Sequence, residues 1–348
     1  MTSYLSKKMQ GKTPYEPIEG TYEVRMDANE SPYGLPESLL EEFSRALPSL
    51  SLNRYPDPSA RELRRAFAKA YGVDETHVVA GNGSDELISV IMTSLLDKGD
   101  RLAVALPEFS MYAFYAELSE NTVCFCPKTE HYSLRDLSAF VASEKCRAVI
   151  LSNPCNPTGQ GFTRSEVLEF VRTTPALCLI DEAYMDFWTE SVIRDADREP
   201  NLIVLRTLSK AYGSAGIRLG FATGTPELIR ALHVARSPYN VNSLSQWLGT
   251  RILQSAGTLN RGPELALAAQ EMRDRLIRLM PRSTVFETRT NFVYIRTDRA
   301  SDVFQNLLAR EIAVRCFGND HLRISVSTPQ DNERLYDALY GIGKEIEL

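Results

Sequence analysis

From Ser59 onward the chain alternates two kinds of segment, and no other feature constrains its fold as strongly. Amphipathic stretches such as RELRRAFAKAYG and DELISVIMTSLL are separated by the short apolar runs THVVAG, RLAVAL, NTVCFC, RAVILS, ALCLID, NLIVLR and LGFAT. Runs that stay apolar throughout, instead of alternating with polar residues, mark strands buried on both faces. Strands that take turns with helices in this way predict a mainly parallel sheet covered on both sides. Ser59-Ala60-Arg61-Glu62 and Thr163-Arg164-Ser165-Glu166 both have capping-box spacing and predict helix starts.

After about Asn240 the rhythm changes. Helical stretches around SQWLGTRILQSAG and ELALAAQEMRDRLIRLM precede the strand-like runs TVFET, NFVYIR, IAVRCF and HLRISV and a terminal helix. The expected organisation is an α/β chain with an extended N-terminal arm (1–35), a large domain (36–240) and a smaller α/β domain (241–348) against which the arm packs. At 348 residues and 43% hydrophobic content the chain can fill cores for about two domains.

A formal net charge of −6 offers no basic field to nucleic acid or an anionic membrane, so small molecules are the expected partners. The first residues, MTSYLSKKMQGKTPYEP, lack the apolar core of a secretory signal, and LISVIMTSLL is too short to span a bilayer. Six scattered cysteines without a C-x-x-C pair fit reduced, mostly buried thiols. The expected location is cytoplasmic, and no metal site is expected.

The unusual residues follow the strands. GNGSDE comes after THVVA, PEFSMY after RLAVAL, NPCNPTG after RAVILS, DEAY after ALCLI and TLSK after NLIVL. In open parallel sheets, loops at the carboxyl ends of strands converge on one crevice, where ligands bind. Gly81-Asn82-Gly83-Ser84-Asp85 leads straight into a helix, so glycine backbone and unpaired helix-start amides can cradle a phosphate. Asp85 then serves as a backbone position of the anion site and not as a charge partner. Asp181 ends its strand, and its carboxylate is expected at the crevice floor.

Lys210 sits in RTLSKAYGSAGIRLG, where a strand hands over to a loop. Taken alone, a lysine there is a solvated surface group. Opposite a buried carboxylate and a phosphate cradle it acquires a chemical purpose: an amine that forms a Schiff base with an aldehyde. A carboxylate facing a cationic heteroaromatic ring, a phosphate held by GNGSDE, Ser209 and Arg218, and a lysine together point to pyridoxal 5'-phosphate.

At these residues the sequence closely resembles the class I/II aminotransferases, pyridoxal phosphate enzymes of fold type I. ANESPYG, NRYPD, GNGSDE, PEFSMY, NPCNPTG, DEAYMDF, RTLSKAYGSAGIRLG, PYNVN, TNFVYI and LRISV follow one another in the family's order over nearly the whole chain. The resemblance implies that Lys210 holds the cofactor and moves the proton, Asp181 pairs with the pyridine nitrogen, and Asn156 and Tyr184 hold the ring hydroxyl oxygen. Phe109 would stack on the ring, and Gly83, Ser84, Asp85, Ser209 and Arg218 would surround the phosphate. Tyr55 of NRYPD would reach that phosphate from a second subunit, which implies a homodimer.

Arg323 matches the family's arginine for anionic substrate groups, with Tyr15, Asn29 and Arg315 assigned to the same pocket. The members it looks most like exchange an amino group between L-glutamate/2-oxoglutarate and L-histidinol phosphate/imidazole acetol phosphate, a step of histidine biosynthesis. Cys155 and Ser214 depart from the family pattern, and neither removes a required group. A broad aromatic amino acid aminotransferase and a lyase similar to threonine-phosphate decarboxylase are the alternatives within the resemblance. A non-catalytic regulator is disfavoured because no DNA-binding motif accompanies the domain.

Overall fold

The computed structural model describes residues 4–14, 16–128 and 132–346; Tyr15 lies outside the described residues. Among the described residues twelve strands form two sheets. In chain order they are β1 (Val24–Met26), β2 (Val78–Asn82), β3 (Arg101–Leu106), β4 (Thr122–Pro127), β5 (Ala148–Ser152) and β6 (Leu177–Asp181). β7 (Leu202–Thr207), β8 (Leu219–Gly224), β9 (Thr284–Val285), β10 (Phe292–Arg296), β11 (Ile312–Phe317) and β12 (His321–Ser325) follow.

The seven-stranded sheet has the order β2-β8-β7-β6-β5-β3-β4. Its neighbours from β4 to β7 are parallel, while β8 runs antiparallel to both β7 and β2. Two reversals cancel, so β2 points the same way as β7. The carboxyl ends of β2, β3, β5, β6 and β7 therefore share one edge, and the five motif-bearing loops start there. Successive residues of one strand supply opposite faces. Leu202 and Val204 enter one apolar cluster, Ile203 and Leu205 the other. Complete burial of β5, β7 and β8 agrees with their unbroken apolar character.

The second sheet has the order β1-β11-β12-β10-β9. Here β1 pairs in parallel with β11, Val24 opposite Ile312, so the proline-rich arm contributes a strand instead of staying merely extended. A helix over Glu37–Ala46, with one apolar side chain buried, follows it. At three residues β1 is too short to show a period, and the helix, although amphipathic, follows directly on a proline-punctuated segment. TVFET forms only the two-residue β9, pairing through Thr284 and Val285 with β10.

The capping box at Thr163 and Glu166 forms as its spacing predicts. The one expected at Ser59–Glu62 does not. The helix there begins at Arg61 after Ala60, which adopts a left-handed conformation (φ 43°). Asp57 takes over the capping: its Oδ2 accepts from the Arg61 amide and its Oδ1 from the Ser59 amide, each at 3.0 Å. Its two oxygens thus hold the Ser59 amide, which Glu62 would have held in a capping box, and the first amide of the helix.

Candidate functional site

Where the five loops meet the second sheet, a cavity of about 650 Å³ opens, the size of a small-molecule site. Asn29, Ser84, Asp85, Phe109, Asn156, Asp181, Tyr184, Ser209, Lys210, Arg218, Arg315 and Arg323 all line it.

Asp181, last residue of β6, is the floor. It is 4% exposed, and Tyr112 donates its hydroxyl to Oδ2 at 2.7 Å while the Ala183 amide donates to Oδ1 at 3.0 Å. Burial pushes its pKa up to about 6, against the pull of those two donors. Among the described residues no side-chain cation pairs with it. A buried carboxylate in that state is completed by a cationic ring nitrogen, which would bring its pKa back down.

Lys210 stands at the mouth of the loop after β7. Its Nζ donates to the Ala28 carbonyl at 3.1 Å and lies 5.9 Å from the centre of the Tyr184 ring. Asn29 is fully buried at a left-handed φ of 55° and donates its amide to the Tyr184 hydroxyl at 2.8 Å. That bond uses the acceptor side of the hydroxyl and leaves its proton for the cavity. Asn156 is oriented in the same sense: its Oδ1 accepts from Arg323 Nη1 at 2.5 Å, which leaves the amide N–H groups as donors. Two donors side by side suit a phenolate oxygen.

The phosphate end is built on close backbone approach. Gly83 has a φ of 79°, and a Cβ there would lie 2.6 Å from Arg218 Nη2. A Cβ on Gly220 would meet the Ser84 amide at 2.3 Å, so β8 can pass beneath the start of the helix over Gly83–Ser94 only without a side chain. Arg218 itself is held at a φ of 52°, a strained conformation for arginine. With the Ser209 hydroxyl, fixed by Thr207 at 2.9 Å, these groups form a cradle of donors. The donor set, the cradle and the unpaired Asp181 fit pyridoxal phosphate at both ends.

One expectation changes. Asp85 is a charge partner after all: its carboxylate meets Arg218 Nη2 at 3.3 Å. The first helical turn brings its side chain back over the glycine loop, within reach of the guanidinium. Cys155 is a buried thiol whose pKa is raised, first by burial and then by Glu108, and is no ready thiolate. Ser214 is buried and donates to the Leu208 carbonyl at 2.6 Å.

Tyr55 is not part of the cavity within one chain. It is 81% exposed and stacks on Tyr239, ring centres 4.5 Å apart. Arg315 and Arg323 face each other across β11 and β12. Arg323 also donates Nη2 to the Asp27 carbonyl at 2.6 Å and lies over the Phe292 and Phe317 rings. Sequence reasoning missed the support behind these groups. Tyr112 ends PEFSMY, three positions beyond Phe109, and nothing local marks it as the partner of Asp181. Ser325, which receives the Asn29 amide at 3.1 Å and donates to its Oδ1 at 2.9 Å, carried no signal at all.

Comparison with known proteins follows the same lines. The family model for aminotransferase class I and II matches residues 22–339. A histidinol-phosphate aminotransferase of Caldanaerobacter subterraneus subsp. tengcongensis is 34% identical over 342 residues, covering 96% of this chain and 97% of that one. Among solved structures, a histidinol-phosphate aminotransferase from Sinorhizobium meliloti in complex with pyridoxal-5'-phosphate superposes with a TM-score of 0.88 at 24% identity, over 99% of both chains. An L-threonine-O-3-phosphate decarboxylase from Porphyromonas gingivalis shares the fold, with a TM-score of 0.79 at 23% identity over 92% of this chain and 99% of that one.

Proposed function

Because the chain belongs to the class I and II aminotransferases, we propose that it is a pyridoxal phosphate enzyme that passes an amino group from L-glutamate to imidazole acetol phosphate, giving L-histidinol phosphate. The observation that carries the reading is the pairing of a buried, cation-seeking Asp181 with Lys210 in one cavity that also has a phosphate cradle. The similar histidinol-phosphate aminotransferase of Caldanaerobacter subterraneus subsp. tengcongensis supports the substrate.

When bound, the cofactor supplies an electron sink that stabilises negative charge at the carbon of the transferred amine. The chain's residues do the rest. Asp181 would face the ring nitrogen and favour its protonated form. Tyr184 and Asn156 donate to the ring oxygen, and Phe109 covers one face. Lys210 holds the cofactor between turnovers. Its free amine would be the base that takes the α proton of the substrate and, as an ammonium, would give that proton back. Arg323 binds the anionic group of whichever substrate is present, with a planar fork that suits carboxylate and phosphate alike. The second sheet walls the cavity opposite the five loops through Tyr294, Arg315 and Arg323.

The exposed Tyr55–Tyr239 stack supports a homodimer in which Tyr55 reaches the partner's phosphate cradle. A cytoplasmic location is supported by the six cysteines, all free. No helix among the described residues is long and apolar enough to cross a membrane.

The test is an absorbance spectrum of purified protein on adding glutamate and then imidazole acetol phosphate. Loss of the bound-cofactor band with glutamate and its return with the ketone is the expected result. If glutamate acts but the ketone does not restore the band, the histidine-pathway substrate is wrong. Carbon dioxide released from O-phosphothreonine would instead identify a lyase of the kind whose fold it shares.

A further inference from the structure

Glu108, which lines the cavity, forms with Lys128 an ion pair that the transamination scheme does not use. Lys128 is the first residue past β4, and its amide extends the ladder by donating to the Leu106 carbonyl at 2.8 Å. Its side chain is 14% exposed, that of Glu108 0%. The ammonium has three N–H groups, and all three are spent: on the Pro107 carbonyl at 2.9 Å, on Glu108 Oε2 at 3.3 Å and on Cys155 Sγ at 3.2 Å.

Glu108 in turn collects donors from two loops. Oε1 accepts from the Phe109 amide at 3.3 Å and from the Ser152 hydroxyl. Oε2 accepts from the Ser152 amide at 3.3 Å. The Cys155 thiol also points at Oε1, at 3.5 Å. Ser152 Oγ then accepts from the Asn156 amide at 3.0 Å. A continuous path therefore runs from Lys128 through Glu108 to the backbone of Phe109 and, through Ser152, to the backbone of Asn156. Those two residues follow different strands, β3 and β5, and both line the cavity.

We propose that Lys128 and Glu108 are a positioning pair that sets Phe109 and Asn156 against the cofactor ring. The inference rests on reading the cavity as a pyridoxal phosphate site. Glu108 is anchored on both loops, and Lys128 neutralises it while tying it to β4, so the two loops keep one spacing. Removing the ammonium leaves a carboxylate buried without its counter-charge. The carboxylate then turns toward solvent or takes up a proton, and either change releases Phe109 and Ser152 from their acceptor. Cys155 belongs to the same arrangement: a small, soft acceptor fits the third N–H without adding charge.

Cofactor-stripped wild type, Lys128→Met, Glu108→Gln and the double variant are titrated with pyridoxal phosphate, following absorbance, and melted separately without it. Lys128→Met should bind at least about tenfold more weakly and shift the band of what binds. The double variant, in which a neutral amide replaces the acid beside an apolar stem, should recover to within about threefold of wild type. Wild-type affinity and an unshifted band in Lys128→Met, whatever its melting temperature, would show that the pair only stabilises the fold and would overturn the proposal. If Lys128→Met does not fold, Glu108→Gln decides: weaker binding with a shifted band supports the pair, and unchanged binding sinks it. Wild type that takes up no pyridoxal phosphate would bring down the cofactor reading itself, a result separable from failure of the pair alone.

Discussion

The buried Tyr112 hydroxyl donates to Asp181 Oδ2 at 2.7 Å, so an aromatic side chain on the helix after β3 opposes the effect of burial on a carboxylate at the end of β6. A donated hydrogen bond favours the ionised form. Tyr112→Phe removes it, and a charge-assisted bond of about 1.5 kcal/mol corresponds to roughly one pH unit. The acid limb of the kcat/KM profile should move up by about that much. A limb at its wild-type position would mean that Asp181 does not depend on Tyr112.

Asp181 also links cofactor binding to stability. Its folded pKa, about 6, lies above the ordinary carboxylate value, so the folded state holds the proton more tightly than the unfolded one between about pH 4 and 6. Cofactor-stripped protein should therefore lose stability as pH rises through that window, by at most about 3 kcal/mol. Asp181→Asn should flatten this part of the profile in denaturant melts. An equally steep decline in the variant would assign the effect to another group.

Lys210 contributes little to packing, because its Nζ is half-exposed and makes one bond to a backbone carbonyl. Lys210→Ala should leave the melting temperature of the cofactor-free protein within a few degrees while reducing turnover at least about a thousandfold. Amino transfer at the wild-type rate would refute its role as the base.

Gly83→Ala tests the cradle. The new methyl would lie 2.6 Å from Arg218 Nη2 and hold an L-residue at a φ of 79°. Loss of about 1–2 kcal/mol of stability is expected from the backbone alone, and displacement of Arg218 should weaken pyridoxal phosphate binding at least about tenfold. Equilibrium titration checks this, and unchanged affinity would remove Arg218 from the phosphate site.

Arg323 spends one guanidinium nitrogen on Asn156 and another on the Asp27 carbonyl. A lysine offers a point charge and cannot hold both while binding an anion bidentately. Arg323→Lys should raise the apparent constants of glutamate and of the phosphorylated ketone together, by about tenfold or more. An effect on one substrate only would show that they do not share this group.

Much of the site was legible in the sequence because its signals are local. Apolar runs of five or six residues specify buried strands, and Gly83, Asn156, Asp181 and Lys210 mark the loops at their ends without reference to anything distant. Those loops share an edge only because the crossover connections make the strands parallel, which also follows from the helix-strand rhythm.

What the rhythm does not contain is strand order, and strand order decides contacts. The pairing of β1 with β11 brings Asn29 beside Ser325, 296 positions away, and so into the site under Tyr184. The Asp85–Arg218 pair spans the reversal through β8. Lys128 meets Glu108 because β4 lies outside β3, and Cys155 because β5 lies inside it. Side-chain chemistry and backbone propensity are properties of single residues and their near neighbours, and the sequence by itself determined them. Burial, charge pairing and the orientation of donors depend on which distant segments end up in contact, and only the tertiary structure decided those.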